Sequence, residues 1–222
     1  MLKNKTTFVH FPKTGGTALG YFIEKNNIDI KHASLVKGDE EYKRISRKHG
    51  RAKHDGWSNS DCITIIRHPT DHLISFIAFG HSGSELTIKF PGTAGGSQKP
   101  LTSIQLHDKV MNAKSTKQRL KCIENSLKNR LLQNKFKTHI LLTDNLNSSG
   151  DLFEELGYDV VDKKFEKQHY SEHDVKDNIF SQADIQNFEN MYPFYFKLYR
   201  YVNNQKNKYC INFDLHDFDL FL

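Results

Sequence analysis

The sequence predicts an α/β domain: a central parallel sheet flanked by helices. Three observations predict it. Thr7-Phe8-Val9-His10-Phe11 and Cys62-Ile63-Thr64-Ile65-Ile66 are short runs of apolar, β-branched and aromatic residues, the kind buried on both faces of a parallel sheet. Each run breaks into a short turn and then an amphipathic stretch, with Leu19, Phe22 and Ile23 after the first and Leu73, Phe76, Ile77 and Gly80 after the second. That spacing marks a helix with one apolar face. The 222 residues suffice for one such domain with a real core and not for two, so residues 1–222 read as a single domain.

The elements follow in order. After the first strand a helix is expected over about Thr17 to Asn26, and Asn27 to Glu41 reads as a polar stretch. A weak strand pattern surrounds Ile45. The Cys62–Ile66 strand ends at Arg67-His68-Pro69, and a helix begins near Thr70 because proline favours a first helical turn. Gly80 to Ser103 is rich in Gly, Ser, Thr and Pro and reads as a long loop, a candidate lid or acceptor-binding segment. Leu120, Ile123, Leu127 and Leu131 restore helical periodicity; Thr138 to Leu142 is a strand, and a helix follows with its cap near Asn147 or Ser148. Ser181 to Tyr201 reads as one long helix that Pro193 can interrupt, and the tail from Tyr209 alternates like an edge strand.

Composition narrows the class. With 37% apolar residues and a mean hydropathy of -0.65, no stretch approaches the roughly 18–20 apolar residues of a membrane span. The opening Met1-Leu2-Lys3-Asn4-Lys5 lacks a signal-peptide core, which gives the expectation of a cytoplasmic protein. Cys62, Cys122 and Cys210 are odd in number and far apart, so buried free thiols are expected rather than disulfides or a metal site. Thirty-two basic against 26 acidic residues leave a charge of +6, which favours anionic ligands. The lysines are scattered rather than gathered with aromatics in one arm, so nucleic acid is not the expected partner.

The most informative segment is Phe11-Pro12-Lys13-Thr14-Gly15-Gly16-Thr17-Ala18, between the first strand and the first helix. Glycines allow close approach of the backbone, the first helical amides point at the loop, and Lys13 adds a full charge: the parts of an anion cradle. It is not the nucleoside-triphosphate loop, because the lysine precedes the glycines and no Gly-Lys-Ser/Thr follows. The second segment is Ile63-Thr64-Ile65-Ile66-Arg67-His68-Pro69 through Ser75. Arg67 stands at the carboxyl end of a strand, where open parallel sheets bind nucleotides, and its planar fork suits a phosphate. Ser75, eight residues on, can offer a hydroxyl from the following helix.

Together these segments resemble the family of sulfotransferases that use 3′-phosphoadenosine-5′-phosphosulfate (PAPS), in particular the branch of the heparan sulfate 2-O-sulfotransferases and their bacterial relatives. The ending Tyr192-Pro-Phe-Tyr-Phe-Lys-Leu-Tyr199 is similar to that branch as well, although many relatives carry an acidic residue where this chain has Tyr195. The resemblance implies a P-loop-like three-layer fold and a single sulfotransferase-like domain. It implies transfer of a sulfuryl group from PAPS to a hydroxyl acceptor, a glycan or other alcohol, without a metal. Lys13 would neutralise the leaving phosphate. Thr14, Gly15, Gly16, Thr17 and Ala18 would bind the 5′-phosphosulfate, and Arg67 and Ser75 the 3′-phosphate. Relatives use a histidine base some way ahead of the arginine; His49 is the first candidate here, His54 the second and His32 the third.

Two other classes compete: a non-catalytic binder of adenosine 3′,5′-bisphosphate (PAP) or another polyanion on the same fold, and a P-loop-like kinase. The kinase is disfavoured because Ile66 leads into Arg67 rather than an aspartate. His68 and His72 have the i, i+4 spacing of a zinc pair, but with no third ligand in view a solvated helix start is the expectation. Arg130 is expected on the surface. The apolar tail from Phe218 to Leu222 has no assigned role.

Overall fold

A computed structural model describes residues 6–34, 61–78, 101–133, 136–164 and 179–214. Four parallel strands and one short antiparallel strand form an open sheet. They are β1 (Thr7–His10), β2 (Lys31–Ser34), β3 (Cys62–Ile66), β4 (Thr138–Leu142) and β5 (Tyr209–Cys210), arranged in the order β2-β1-β3-β4-β5. β2 and β3 both run parallel to β1, β4 runs parallel to β3, and β5 closes the far edge antiparallel to β4. The chain leaves β1 toward β2 on one side and later returns to β3 on the other. The switch in winding direction therefore falls between β1 and β3, and the carboxyl ends of strands at such a switch are the place where open α/β sheets bind ligands.

The chain divides into two compact units. The first holds the sheet together with α1 (Gly16–Lys25), a 3-10 segment (Thr143–Ser148) and α5 (Ser149–Glu155). It also takes the last turns of α4 (Lys114–Gln133) and of α7 (Pro193–Asn203). Period-two alternation splits its strands between two faces. Phe8, Ile63, Ile65 and Leu141 pack with Leu19, Phe22 and Ile23 of α1 and with Leu152 and Phe153 of α5. On the opposite face Thr138 meets Arg130 of α4, whose Nε donates to the Thr138 hydroxyl at 3.2 Å. Every residue of β1, β3 and β4 is buried, as expected of strands covered on both sides.

The second unit is helical: α2 (Pro69–Ala78), α3 (Ser103–Asn112), the first turns of α4, α6 (Gln182–Met191) and the start of α7. α2 packs on α3 and on α6. Two capping boxes start its helices. Thr102 and Gln105 exchange side-chain to backbone bonds at the start of α3, and Ser181 and Asp184 do so at the start of α6. The Ser181 hydroxyl also donates to the Asp184 carboxylate at 2.7 Å, and that bond first, then the one from the Ser181 amide at 2.9 Å, holds the carboxyl below its usual range.

β3 and β4 carry the bounds the sequence marks, and several other expectations are corrected. Lys31–Ser34, read as part of a polar stretch, pairs as an edge strand with Thr7–His10, because a partner strand imposes extended backbone on residues of weak propensity. Ser103–Asn112 is a helix. The expected single helix from Ser181 is two, broken at Tyr192 (φ -130°, ψ 53°) where Pro193 begins the next. Arg130 is buried, not on the surface. Of the three cysteines, Cys62 and Cys210 are buried free thiols, but Cys122 is exposed. The pattern around Ile45 and nearly all of the Gly80–Ser103 loop lie outside the described residues, as does the Phe218–Leu222 tail. Among the described residues no helix is long and apolar enough to cross a membrane.

Candidate functional site

The loop from Phe11 to Gly16 lies at the carboxyl end of β1, in the first unit. Its path needs two left-handed residues, Lys13 (φ 67°) and Gly15 (φ 84°). Gly15 takes that conformation without cost; a lysine there is uncommon and marks a backbone held by its surroundings. Three bonds hold it. The Thr14 hydroxyl, fully buried, donates to the Phe11 carbonyl at 2.8 Å and closes the turn. Arg67 Nη1 donates to the Lys13 carbonyl at 3.3 Å. The Thr143 hydroxyl, just past β4, lies 2.8 Å from the Thr14 carbonyl and 3.2 Å from that of Ile66, fastening the loop to the ends of two other strands.

α1 begins with no side-chain cap and no acidic residue in its first turn. Its first regular bond is from the Leu19 amide to the Gly15 carbonyl at 3.1 Å, so the amides of Gly16, Thr17 and Ala18 precede the intrahelical ladder. Orphan amides at the positive end of a helix, beside Lys13, suit an oxyanion. The glycines serve the fold as well as a ligand. A side chain on Gly15 would meet Leu146 Cδ1 at 2.8 Å, and one on Gly16 would fall 2.1–2.2 Å from three atoms of the His10 ring.

The structure thus brings Lys13, Thr14, Gly15, Gly16, Thr17, Ala18 and Arg67 together within one unit. Thr14 is turned inward through its side chain, leaving its amide as the group it can offer. Ser75 belongs to the second unit, half-buried on α2. Of the histidines, His49 and His54 lie outside the described residues, and His32 stands on β2 in register with Phe8.

Thr143 was not singled out by the sequence; its role depends on two carbonyls remote in the chain. Next to it, Asp144 Oδ2 accepts from the Tyr199 hydroxyl at 2.7 Å. Asn145 donates to the Asn207 carbonyl at 3.0 Å, so the turn after β4 is fixed at both ends.

In the second unit His72 is a core residue rather than part of a solvated helix start. Its ring is fully buried, stacks on Phe76 at 4.7 Å, and shares a 2.9 Å hydrogen bond between Nδ1 and the Tyr195 hydroxyl. His68 Nδ1 lies 2.7 Å from the Thr70 hydroxyl instead. Among the described residues no group of three or more His, Cys, Asp or Glu could hold a metal ion. The amide of Tyr195 donates to the buried Glu124 carboxylate at 3.1 Å, and the same carboxylate pairs with Lys121, whose ammonium also caps the Met191 carbonyl at 2.9 Å. Two residues of α4 therefore stitch the break between α6 and α7. Burial first, and then the Glu124 charge, push the Tyr192 hydroxyl well above its ordinary pKa.

At the opposite, amino-terminal edge of the sheet a cleft of about 310 Å³ is lined by Thr6, Asp61, Lys137, His139, Tyr158 and Asn212, among others. His139 is buried there. Desolvation lowers its pKa to about 4; Asp61 opposes the shift and Lys137 adds to it.

Comparison of the chain with family models, with curated proteins and with solved structures gave no match.

Proposed function

We propose that this chain is a sulfotransferase that moves the sulfuryl group of PAPS to a hydroxyl acceptor, a glycan or other alcohol. One observation carries the reading: Lys13 and Arg67, 54 residues apart in sequence, meet at the carboxyl ends of β1 and β3, with Arg67 Nη1 on the Lys13 carbonyl. A single anion cradle suits any phosphate. A cradle joined to a strand-end arginine suits a nucleotide carrying phosphate at both its 5′ and 3′ positions.

The reaction is an in-line displacement. The acceptor oxygen attacks sulfur, the bond from sulfur to the bridging phosphate oxygen breaks, and PAP leaves with the electron pair. The amides of Gly15, Gly16, Thr17 and Ala18 would hold the 5′-phosphosulfate, and Lys13 would meet the charge that grows on the bridging oxygen. Preorganised donors of this kind supply much of the stabilisation in charge-developing transition states. Arg67 would grip the 3′-phosphate. The acceptor proton goes to a histidine, with His49 the first candidate and His54 and His32 the alternatives. Imidazole suits that task because its pKa lies near working pH.

Thermal shift with PAP, set against ATP plus magnesium, tests the donor. Stabilisation by PAP alone supports the reading, and stabilisation by ATP plus magnesium alone sinks it. Transfer of labelled sulfate from PAPS in an acceptor screen then separates an enzyme from a non-catalytic PAP-binding protein.

A further inference from the structure

His10 ends β1 and is nearly fully buried. The place where a Gly16 Cβ would stand is 2.1, 2.1 and 2.2 Å from Cδ2, Nε2 and Cε1 of its imidazole. A point almost equidistant from three consecutive ring atoms lies over the ring face, not beyond its rim. The Cα of Gly16 therefore rests on the flat face of the imidazole. The ring is itself backed: Phe8, two residues earlier on the same face of β1, lies parallel to it at 5.7 Å and 14°. Interiors packed to crystal density have no spare space for an added methyl group.

This changes what Gly16 is for. Glycine in an anion loop is ordinarily read as making room for the ligand. Here the direction of its missing side chain points into the protein, onto His10, and its amide is left at the helix start.

We propose that His10 is a positioning residue of the cradle: its ring is the seat on which Gly16 rests, and that seat fixes the amides of Gly16, Thr17 and Ala18 toward one bound oxyanion. The inference rests on the proposed function only in its choice of ligand, since any anion held by those amides would depend on the same seat. A flat ring suits the role because it fills a slot one ring thick. A branched aliphatic side chain of similar volume would lift the loop.

The test uses the full chain with PAP as the probe. Dissociation constants are measured by calorimetry at a temperature where each variant is folded, and the unliganded melting temperature is recorded alongside. Gly16→Ala forces a methyl group into the ring and is expected to weaken PAP binding by about 30-fold or more. His10→Ala removes the seat and is expected to weaken it by about 5- to 20-fold. In the double variant the collision is gone, so affinity recovers by about fivefold or more over Gly16→Ala alone, the non-additivity expected of residues in contact. A His10→Ala variant with lower melting temperature but wild-type affinity overturns the proposal, as does a double variant no better than Gly16→Ala. If the wild-type chain binds neither PAP nor inorganic pyrophosphate, the functional reading falls and the seat falls with it. If the wild type binds and the variants do not follow the stated order, this inference alone is lost.

Discussion

Arg67 reaches Lys13 through its main chain: Nη1 of the guanidinium lies 3.3 Å from the Lys13 carbonyl oxygen. One arm of the fork is thus a structural clasp on a left-handed residue, and the planar group is oriented before any ligand arrives. The arrangement predicts that Arg67→Lys fails to restore what Arg67→Ala removes. A lysine has one point charge and no second arm, so it cannot hold the carbonyl and a phosphate together. Both variants are expected to weaken PAP binding by about 10- to 100-fold, the range for losing a charge-assisted hydrogen bond. Calorimetry checks this; a lysine variant binding PAP like the wild type removes the fork from the account.

Lys13 should act on turnover more than on binding. Its charge is needed where negative charge develops during bond cleavage, so Lys13→Ala is expected to lower kcat by about 10² to 10³, as loss of a comparable preorganised donor does. The KM for PAPS should change far less. Steady-state kinetics with labelled PAPS measure both; a variant with near-normal kcat leaves Lys13 a binding group only.

Much of this site was legible in the sequence because its parts are local. β3 and β4 are continuous apolar runs and keep the bounds their residues suggest, and the Lys13 loop is a contiguous motif. What was not legible depends on contacts between distant segments. Lys31–Ser34 has little strand propensity of its own and is extended by pairing with β1. Arg130 reads as surface from its charge, yet Thr138 and the Lys137 carbonyl, brought by the next strand, satisfy it in the interior. Thr143 is an unremarked hydroxyl until the carbonyls of Thr14 and Ile66 are placed beside it. The helix at Ser103 does have a local sign: Thr102 and Gln105 form a capping box three residues apart in the sequence. The occupant of the space above Gly16 has no such sign.

The departure at Tyr195 also acquires a physical meaning. Its hydroxyl meets a buried histidine, and its amide is capped by a buried glutamate, so the residue ties α7 to two other helices of its unit. Tyr195→Phe keeps the ring and removes the hydroxyl that shares a buried hydrogen bond with His72 Nδ1. The expected loss is about 1–3 kcal/mol. Glu124→Leu takes the carboxylate from both the half-exposed Lys121 and the Tyr195 amide, and the loss of the amide's acceptor is expected to cost about 1–3 kcal/mol. Urea denaturation measures both, and a Tyr195→Phe midpoint equal to wild type would show that the 2.9 Å bond contributes nothing.

His139 sets a pH dependence that can be isolated. Its folded pKa of about 4 lies below the ordinary 6.5, chiefly because burial disfavours the imidazolium. Between those values the unfolded chain binds the proton and the folded chain does not, so stability rises with pH across the window. The contribution is complete above about 6.5 and is lost as pH falls through about 4, amounting to about 3–4 kcal/mol at roughly 1.4 kcal/mol per pH unit. His139→Gln keeps an acceptor for the Asn212 amide, which lies 3.4 Å from Nδ1, and removes the titration. Carboxylates remote from His139 titrate alike in both proteins, so the difference between their stability curves reports the histidine together with its interaction with Asp61. Urea midpoints from pH 7.5 to 4.5 should fall more steeply for the wild type than for His139→Gln. Parallel curves would mean that His139 is solvated well enough to protonate in the folded chain, and that the cleft at the amino-terminal edge is wetter than its burial indicates.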